Sequence, residues 1–164
     1  MNEGVELGLR ALVIGIGATV VLDLWSALLK QLGVPSTRWG MVGRWVGHLP
    51  DGHFVHENIA GASQVRGEVA LGWTTHYFVG VVFASLLLLI VGLDWAREPT
   101  VLPPLAFGAV TVVFPFFVLQ PGMGVGIAAS KAPDPLHARL RSIGSHLVFG
   151  LGMYLSAMLS VWQI

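Results

Sequence analysis

Six histidines punctuate this chain of 164 residues, and three of them fall in the stretch GHLPDGHFVHENIA at 47–60, together with two carboxylates. Imidazole nitrogens and carboxylate oxygens are what Zn²⁺ and Cu²⁺ take as ligands, at bond lengths of about 2.0–2.1 Å. The segment LPDG reads as a tight turn, with Pro50 pre-setting φ and Gly52 closing it, and it brings His48 and His53 toward each other. If helix resumes after the turn, His53 and His56 share a face at i and i+3, with Glu57 adjoining. His48, His53, His56 and Glu57 are therefore one candidate metal site. The spacing H-x4-H-x2-H matches no established metal signature, and H-x-x-H-E is not the metalloprotease H-E-x-x-H. The competing reading is a solvated loop whose histidines meet lipid headgroups.

A second set of reactive groups lies inside apolar runs. Asp23, His76 and His146 sit in three such runs, six, seven and a few residues from one end of each, which puts them about 10 Å below the same surface at a helical rise of 1.5 Å per residue. An ionisable group at membrane depth is costly and marks a functional site by default. An imidazole beside a carboxyl lessens the burial penalty of both, and Ser26, Thr74, Thr75, Tyr77 and Ser145 can extend the network. Three chemistries fit. Asp23 and the histidines can exchange protons while a solute crosses, His76 and His146 can be the axial ligands of a haem b or hold a quinone, or the groups can simply fix helix order. For a haem, Arg44, Arg139 and Arg141 are available to the propionates.

The elements that must position these groups follow from composition. Hydrophobic residues make up 54% and charged ones 11%, and the mean hydropathy of +0.74 lies outside the soluble range. A helix needs about 20 apolar residues to cross a bilayer core. Four runs meet that length, and they predict an all-α membrane protein of one domain, residues 1–164, with helices over about 8–30, 69–93, 101–130 and 140–162. The lead-in MNEGVELGLR has two glutamates and no basic n-region, so the first run reads as a span rather than a signal peptide.

The connections are unequal. DWAREPT is a tight hairpin, whereas 31–68 is a long connection in which Trp39, Val42, Trp45, Val46 and Leu49 recur at helical spacing opposite Arg38 and Arg44. Trp at headgroup level with Arg snorkelling beside it predicts an amphipathic helix lying in the interface. In FPFFVLQPGMGVGIAAS, Pro115, Pro121, Gly122, Gly124 and Gly126 predict a third helix broken near 120–122. Gln120 would then face a polar cavity. The alternative is close packing, since Gly122, Gly126 and Ser130 recur every four residues.

Lys30, Arg38, Arg44 and Arg66 in the first connection and Lys131, Arg139 and Arg141 in the third oppose only Arg10 and Arg97. The positive-inside rule then places the connections 31–68 and 131–141 in the cytoplasm of a bacterial inner membrane and both termini in the periplasm. With no cysteine, iron–sulfur clusters and covalent c-type haem are excluded, and nine basic against nine acidic residues leave no field for nucleic acid. No GxSxG, phosphate loop or paired glutamates point to an enzyme. The expected partners are the lipid bilayer and, for so narrow a bundle, a second copy or a larger membrane complex in which this chain is an accessory subunit.

Gly43-Arg44-Trp45 with His48, then GWTTHY, QPGMGVGIAAS and RLRSIGSHLVFGLG, in this order and spacing, resemble the bacterial integral membrane family called domain of unknown function 2938. The resemblance covers residues 5–160 and implies a small four-helix inner-membrane protein, without an activity. Its motifs match Arg44, Trp45, His48, Glu68, Trp73, His76, Gln120, Pro121, Ser142 and His146. His53 and His56 are not among the matched positions. The expected function is a permease or proton-coupled carrier of a small solute or ion, using Asp23, His76, Gln120 and His146.

Overall fold

The structure, a computed structural model, describes residues 2–161. Every regular element among the described residues is helical, and four helical stretches are long and apolar enough to cross a membrane: Glu3–Gln31, Glu68–Val91, Leu102–Gly122 and Pro135–Ser160. The protein is an all-α membrane protein of four transmembrane helices.

Helix α1 (Glu3–Gln31) opens with Asn2, whose side chain accepts from the Gly4 N–H, and carries Glu3 and Glu6 in its first turn and Lys30 in its last, each opposing the nearby dipole end. It stops where Gly33 takes φ 82° and donates to the Lys30 carbonyl. Its outward face is Val5, Leu9, Leu12, Ile16, Val20, Leu24 and Leu28, and its buried face is Ala11, Ile14, Gly15, Ala18 and Thr19. Large apolar residues outside and small ones inside are what a lipid solvent selects, because only close backbone approach distinguishes a neighbour from a lipid tail.

The chain divides into two compact units, Met1–Ser36 with Tyr77–Thr111 and Gly144–Ile164, and Thr37–His76 with Val112–Ile143. In the first, α1 meets the later turns of α3 (Glu68–Val91) and of α7 (Pro135–Ser160), and α5 (Leu102–Thr111) packs on α7. A methyl placed on Gly15 would fall on the Val81 backbone, one on Gly80 on Thr19, one on Gly17 on Ser156, and one on Gly108 or Gly150 on the facing helix of the α5/α7 pair. Between these approaches Ile14, Leu87, Leu88 and Met153 are fully enclosed, and Phe83 sits edge-on to Phe107 and Phe149 at ring separations of 6.3 and 6.2 Å.

The 92–100 connection is not a bare hairpin. It holds a short helix, α4 (Leu93–Arg97), with Trp95 buried. Here Glu6 binds both Arg10 (2.9 Å) and Arg97 (2.7 Å), while Arg10 also donates to the Ala96 carbonyl and to Ser160 Oγ.

The second unit contains α2 (Trp39–His48), the first turns of α3, a π-helical stretch Pro115–Leu119, the single turn α6 (Gln120–Gly122) and the first turns of α7. The third helix, expected to run to 130 with a break, ends at Gly122. Pro115 lacks an N–H and widens the helix into a π turn, and beyond Pro121 the chain turns through Gly124 (φ 87°) and Gly126 (φ 81°). Helix α7 starts at 135 rather than 140, because Asp134 caps it by accepting from the His137 N–H and Pro135 suits the first position. Position 162, expected at its end, lies outside the described residues.

Candidate functional site

In the second unit α2 settles on α3 through glycine. A methyl on Gly43 would collide with the Glu68 carbonyl and one on Gly72 with the Trp39 carbonyl, so the two backbones touch. That approach sets Arg44 against Glu68: Nε donates to Oε2 and Nη2 to Oε1, both at 2.8 Å. Nη1 reaches the carbonyls of Ile59, Ala60 and Ala62 at 3.1–3.3 Å. Glu68 holds the guanidinium above its ordinary pKa. Arg44 is thus not on the polar face of an interfacial helix, as its spacing suggested, but 7% exposed and enclosed. The desolvated fork is satisfied only by a carboxylate and a turn of carbonyls, which is why it faces inward.

The histidine loop is organised differently from the expected metal site. Among the described residues no three His, Asp or Glu side chains come together in a way that holds a metal ion. Helix does not resume after Gly52, so His53 and His56 share no helical face, and His53 and Glu57 are exposed. The backbone N–H groups of His56 and Ile59 are instead drawn to the Gly122 and Met123 carbonyls at 2.9 and 3.2 Å. This tie to the end of the third span brings His56 to His48, with Nε2 and Nδ1 2.8 Å apart and the rings stacked at 5.0 Å. His56 Nδ1 donates to the Gly122 carbonyl (3.2 Å), which in a neutral ring leaves Nε2 to accept from His48 Nδ1–H. Ser63 Oγ then donates to His48 Nε2 at 3.4 Å. Trp45 lies beneath the same backbone, its Nε1 donating to the Phe54 carbonyl at 2.9 Å, and Gly122 is bare because a methyl there would strike the Trp45 ring.

Gln120 follows directly on the π-helical stretch. Its Nε2 donates to Ser142 Oγ at 3.2 Å, and its Oε1 is buried with no hydrogen-bond partner. In a segment short of water a bare carbonyl oxygen carries the full desolvation penalty, about 1–3 kcal/mol, unless something donates to it. The following loop carries its own strain, with Ala128 and Ala129 at φ 48° and 57°, and Arg139 Nε clasps the Ala128 carbonyl at 2.7 Å.

Asp23, His76 and His146 each meet a residue on another element. In the first unit Tyr77 donates to Asp23 Oδ2 at 2.8 Å. Also in that unit, Thr111 Oγ1 spends its proton on the Gly108 carbonyl, so at 2.9 Å it accepts from His146 Nδ1–H. His146 in its neutral form is thereby fixed with Nε2 as the lone-pair nitrogen. In the second unit His76 stacks on Trp39 at 3.8 Å and meets Trp73 edge-on at 5.9 Å. Sequence reasoning passed over Thr111, whose only signal is a hydroxyl in an apolar run. It also passed over the Glu6–Arg10–Arg97 cluster, although a Glu four residues before an Arg on a helix was there to be read.

No curated protein and no solved structure matches the chain. One family, described as protein of unknown function (DUF2938), matches residues 12–160. Of the positions carrying the motif resemblance, Arg44, Trp45, His48, Glu68, Trp73, His76, Gln120, Pro121 and Ser142 all belong to the second unit. With the match extending over all but the chain's ends, this membrane protein belongs to the family of proteins of unknown function DUF2938.

Proposed function

We propose that the protein is a carrier of a small polar solute, coupled to protons, in a bacterial inner membrane, with its basic connections on the cytoplasmic face. The observation that carries this reading is the buried, unpartnered Oε1 of Gln120 beside the π-helical stretch of the third span. π-helical turns inside helices are frequent at functional sites, and a bare acceptor there selects a solute that brings an N–H or O–H donor. Ser142, which accepts from Gln120 Nε2, has a hydroxyl proton to offer an acceptor on the same solute. Asp23, His76 and His146 are the groups assigned to proton exchange, each already hydrogen-bonded or stacked in place.

Proteoliposomes loaded with a pH-sensitive dye and challenged with urea, glycerol, acetamide and methylammonium, and with sodium and potassium as controls, test it. Uptake of a donor-bearing solute with a change in internal pH, abolished by Gln120→Leu, is the expected result. Flux untouched by replacing Asp23, His76 and His146 together counts against proton coupling through them, and a preparation carrying a haem absorption band moves the assignment to redox. The chain has no cysteine, so single cysteines introduced at Ser36 and Thr100 report orientation through an impermeant thiol reagent.

A further inference from the structure

We infer that Phe54 and Val55 insert into the lipid bilayer, making the segment 53–59 a membrane-anchored strap at the leaflet where the third span ends. The two side chains are 62% and 72% exposed, and no other large apolar side chain in the connection 49–67 is exposed. The depth of the segment follows from the span to which it is tied. Leu102–Gly122 has 21 residues. At 1.5 Å per residue that is about 30 Å, as much as the hydrocarbon core takes up and no more. Gly122 therefore stands at the edge of the core, one turn beyond the exposed Phe117 and Val118. The His56 and Ile59 N–H groups donate to the Gly122 and Met123 carbonyls, and a methyl on Gly124 would strike the Glu57 carbonyl. Val55 directly precedes His56, so main-chain contact holds it at that same edge.

The main chain of the segment fits that depth. A loop in water hydrates its backbone and turns its large apolar side chains inward, and this one does the reverse. The His53 N–H donates to the His48 carbonyl, the Phe54 carbonyl accepts from Trp45 Nε1, and the His56 and Ile59 N–H groups are satisfied by the end of the third span. Irregular backbone at the edge of hydrocarbon persists only where protein satisfies it in this way. Exposed polar residues bound the tip, Asp51 and His53 before it and Glu57 and Asn58 after it, so two side chains enter while their neighbours stay among headgroups. Acyl chains, not a second copy, are the occupant. A stable dimer covers about 800 Å² per partner, more than two side chains supply. The lipid-facing residues of the third span, by contrast, reach the same level.

The test is the depth of single nitroxide spin labels on the full chain, which has no cysteine of its own, in vesicles of phosphatidylcholine and phosphatidylglycerol. Labels are attached at Phe54→Cys, at Val55→Cys and, as the aqueous control, at Asp51→Cys. All three side chains are exposed, and Val55→Cys alone suffices should Phe54→Cys not fold. Collisions with oxygen outnumber those with a water-soluble nickel chelate at 54 and 55, placing these labels about 5–10 Å below the headgroup level, and the order reverses at 51. Access of the nickel chelate at 55 equal to that at 51 overturns the insertion. Shielding from both reagents, with spin–spin broadening that dilution by unlabelled protein removes, gives the patch to a second copy and overturns it equally. No transported solute enters the measurement, so it stands or falls apart from the carrier reading.

Discussion

Arg44 and Glu68 meet through two parallel hydrogen bonds of equal length, 2.8 Å, and the nitrogen left over caps the turn at Ile59–Ala62. One guanidinium therefore ties α2, the histidine loop and the start of α3 together. Arg44→Lys keeps the charge but not the fork, so it lowers the melting temperature by about 5 °C or more and frees the 59–62 turn, whereas Arg38→Lys, at an exposed site, changes neither. Thermal melts in detergent with exchange at Ile59 decide it.

Backbone contact between α2 and α3 makes Gly43 and Gly72 intolerant of a single methyl. Gly43→Ala is expected to destabilise by about 2–3 kcal/mol, while Gly8→Ala, at a helical position with open space, is neutral or slightly stabilising. Chemical denaturation in mixed micelles compares the two.

Gln120 separates a structural role from a recognition role. If its amide only holds Ser142, Gln120→Leu destabilises; as the acceptor for a solute it leaves a bare buried oxygen in the empty protein, and Gln120→Leu raises stability by about 1 kcal/mol while removing uptake. Melting temperature and flux measured on the same preparation distinguish these.

Ala128 holds a left-handed conformation that glycine adopts without strain. Ala128→Gly is expected to stabilise by about 0.5–1 kcal/mol, with the Arg139 clasp retained, and Ala128→Val to destabilise. A denaturant series on the three proteins measures it.

The cap of α7 is pH-dependent in a defined direction. The backbone and ring N–H groups of His137 hold the Asp134 carboxyl below its ordinary range. A lowered folded-state pKa means that the cap contributes fully above the unfolded value of about 3.9 and is lost as pH falls through the lower folded value. Exchange at Leu136–Arg139 stays flat down to about pH 4 and quickens below it. Asp134→Asn removes that dependence.

The four spans were legible because length and hydropathy alone determine what a bilayer accepts, and ends misjudged by up to five residues at Glu3 and Pro135 reflect caps on polar residues that a hydropathy window discounts. Pro115, Pro121 and the glycines marked the irregularity of the third span, but the break expected near 120–122 is a π turn at Pro115–Leu119 followed by the helix end at Gly122. What stayed hidden were directions. The spacing of Arg44 placed it on α2 opposite the tryptophans, and only the Gly43–Glu68 backbone contact turns it inward. His56 looked like a neighbour of His53 by number, yet the Gly122 carbonyl, 66 positions away, decides where it points. Pairings of that range carry no periodic signal.

The glycine seams of the first unit also bound what can pass. Where Gly15 meets Val81 and Gly108 meets Gly150, main chains touch with no side chains between them. At those points no water fits between the two main chains, and what keeps it out is backbone rather than a side chain that could swing aside.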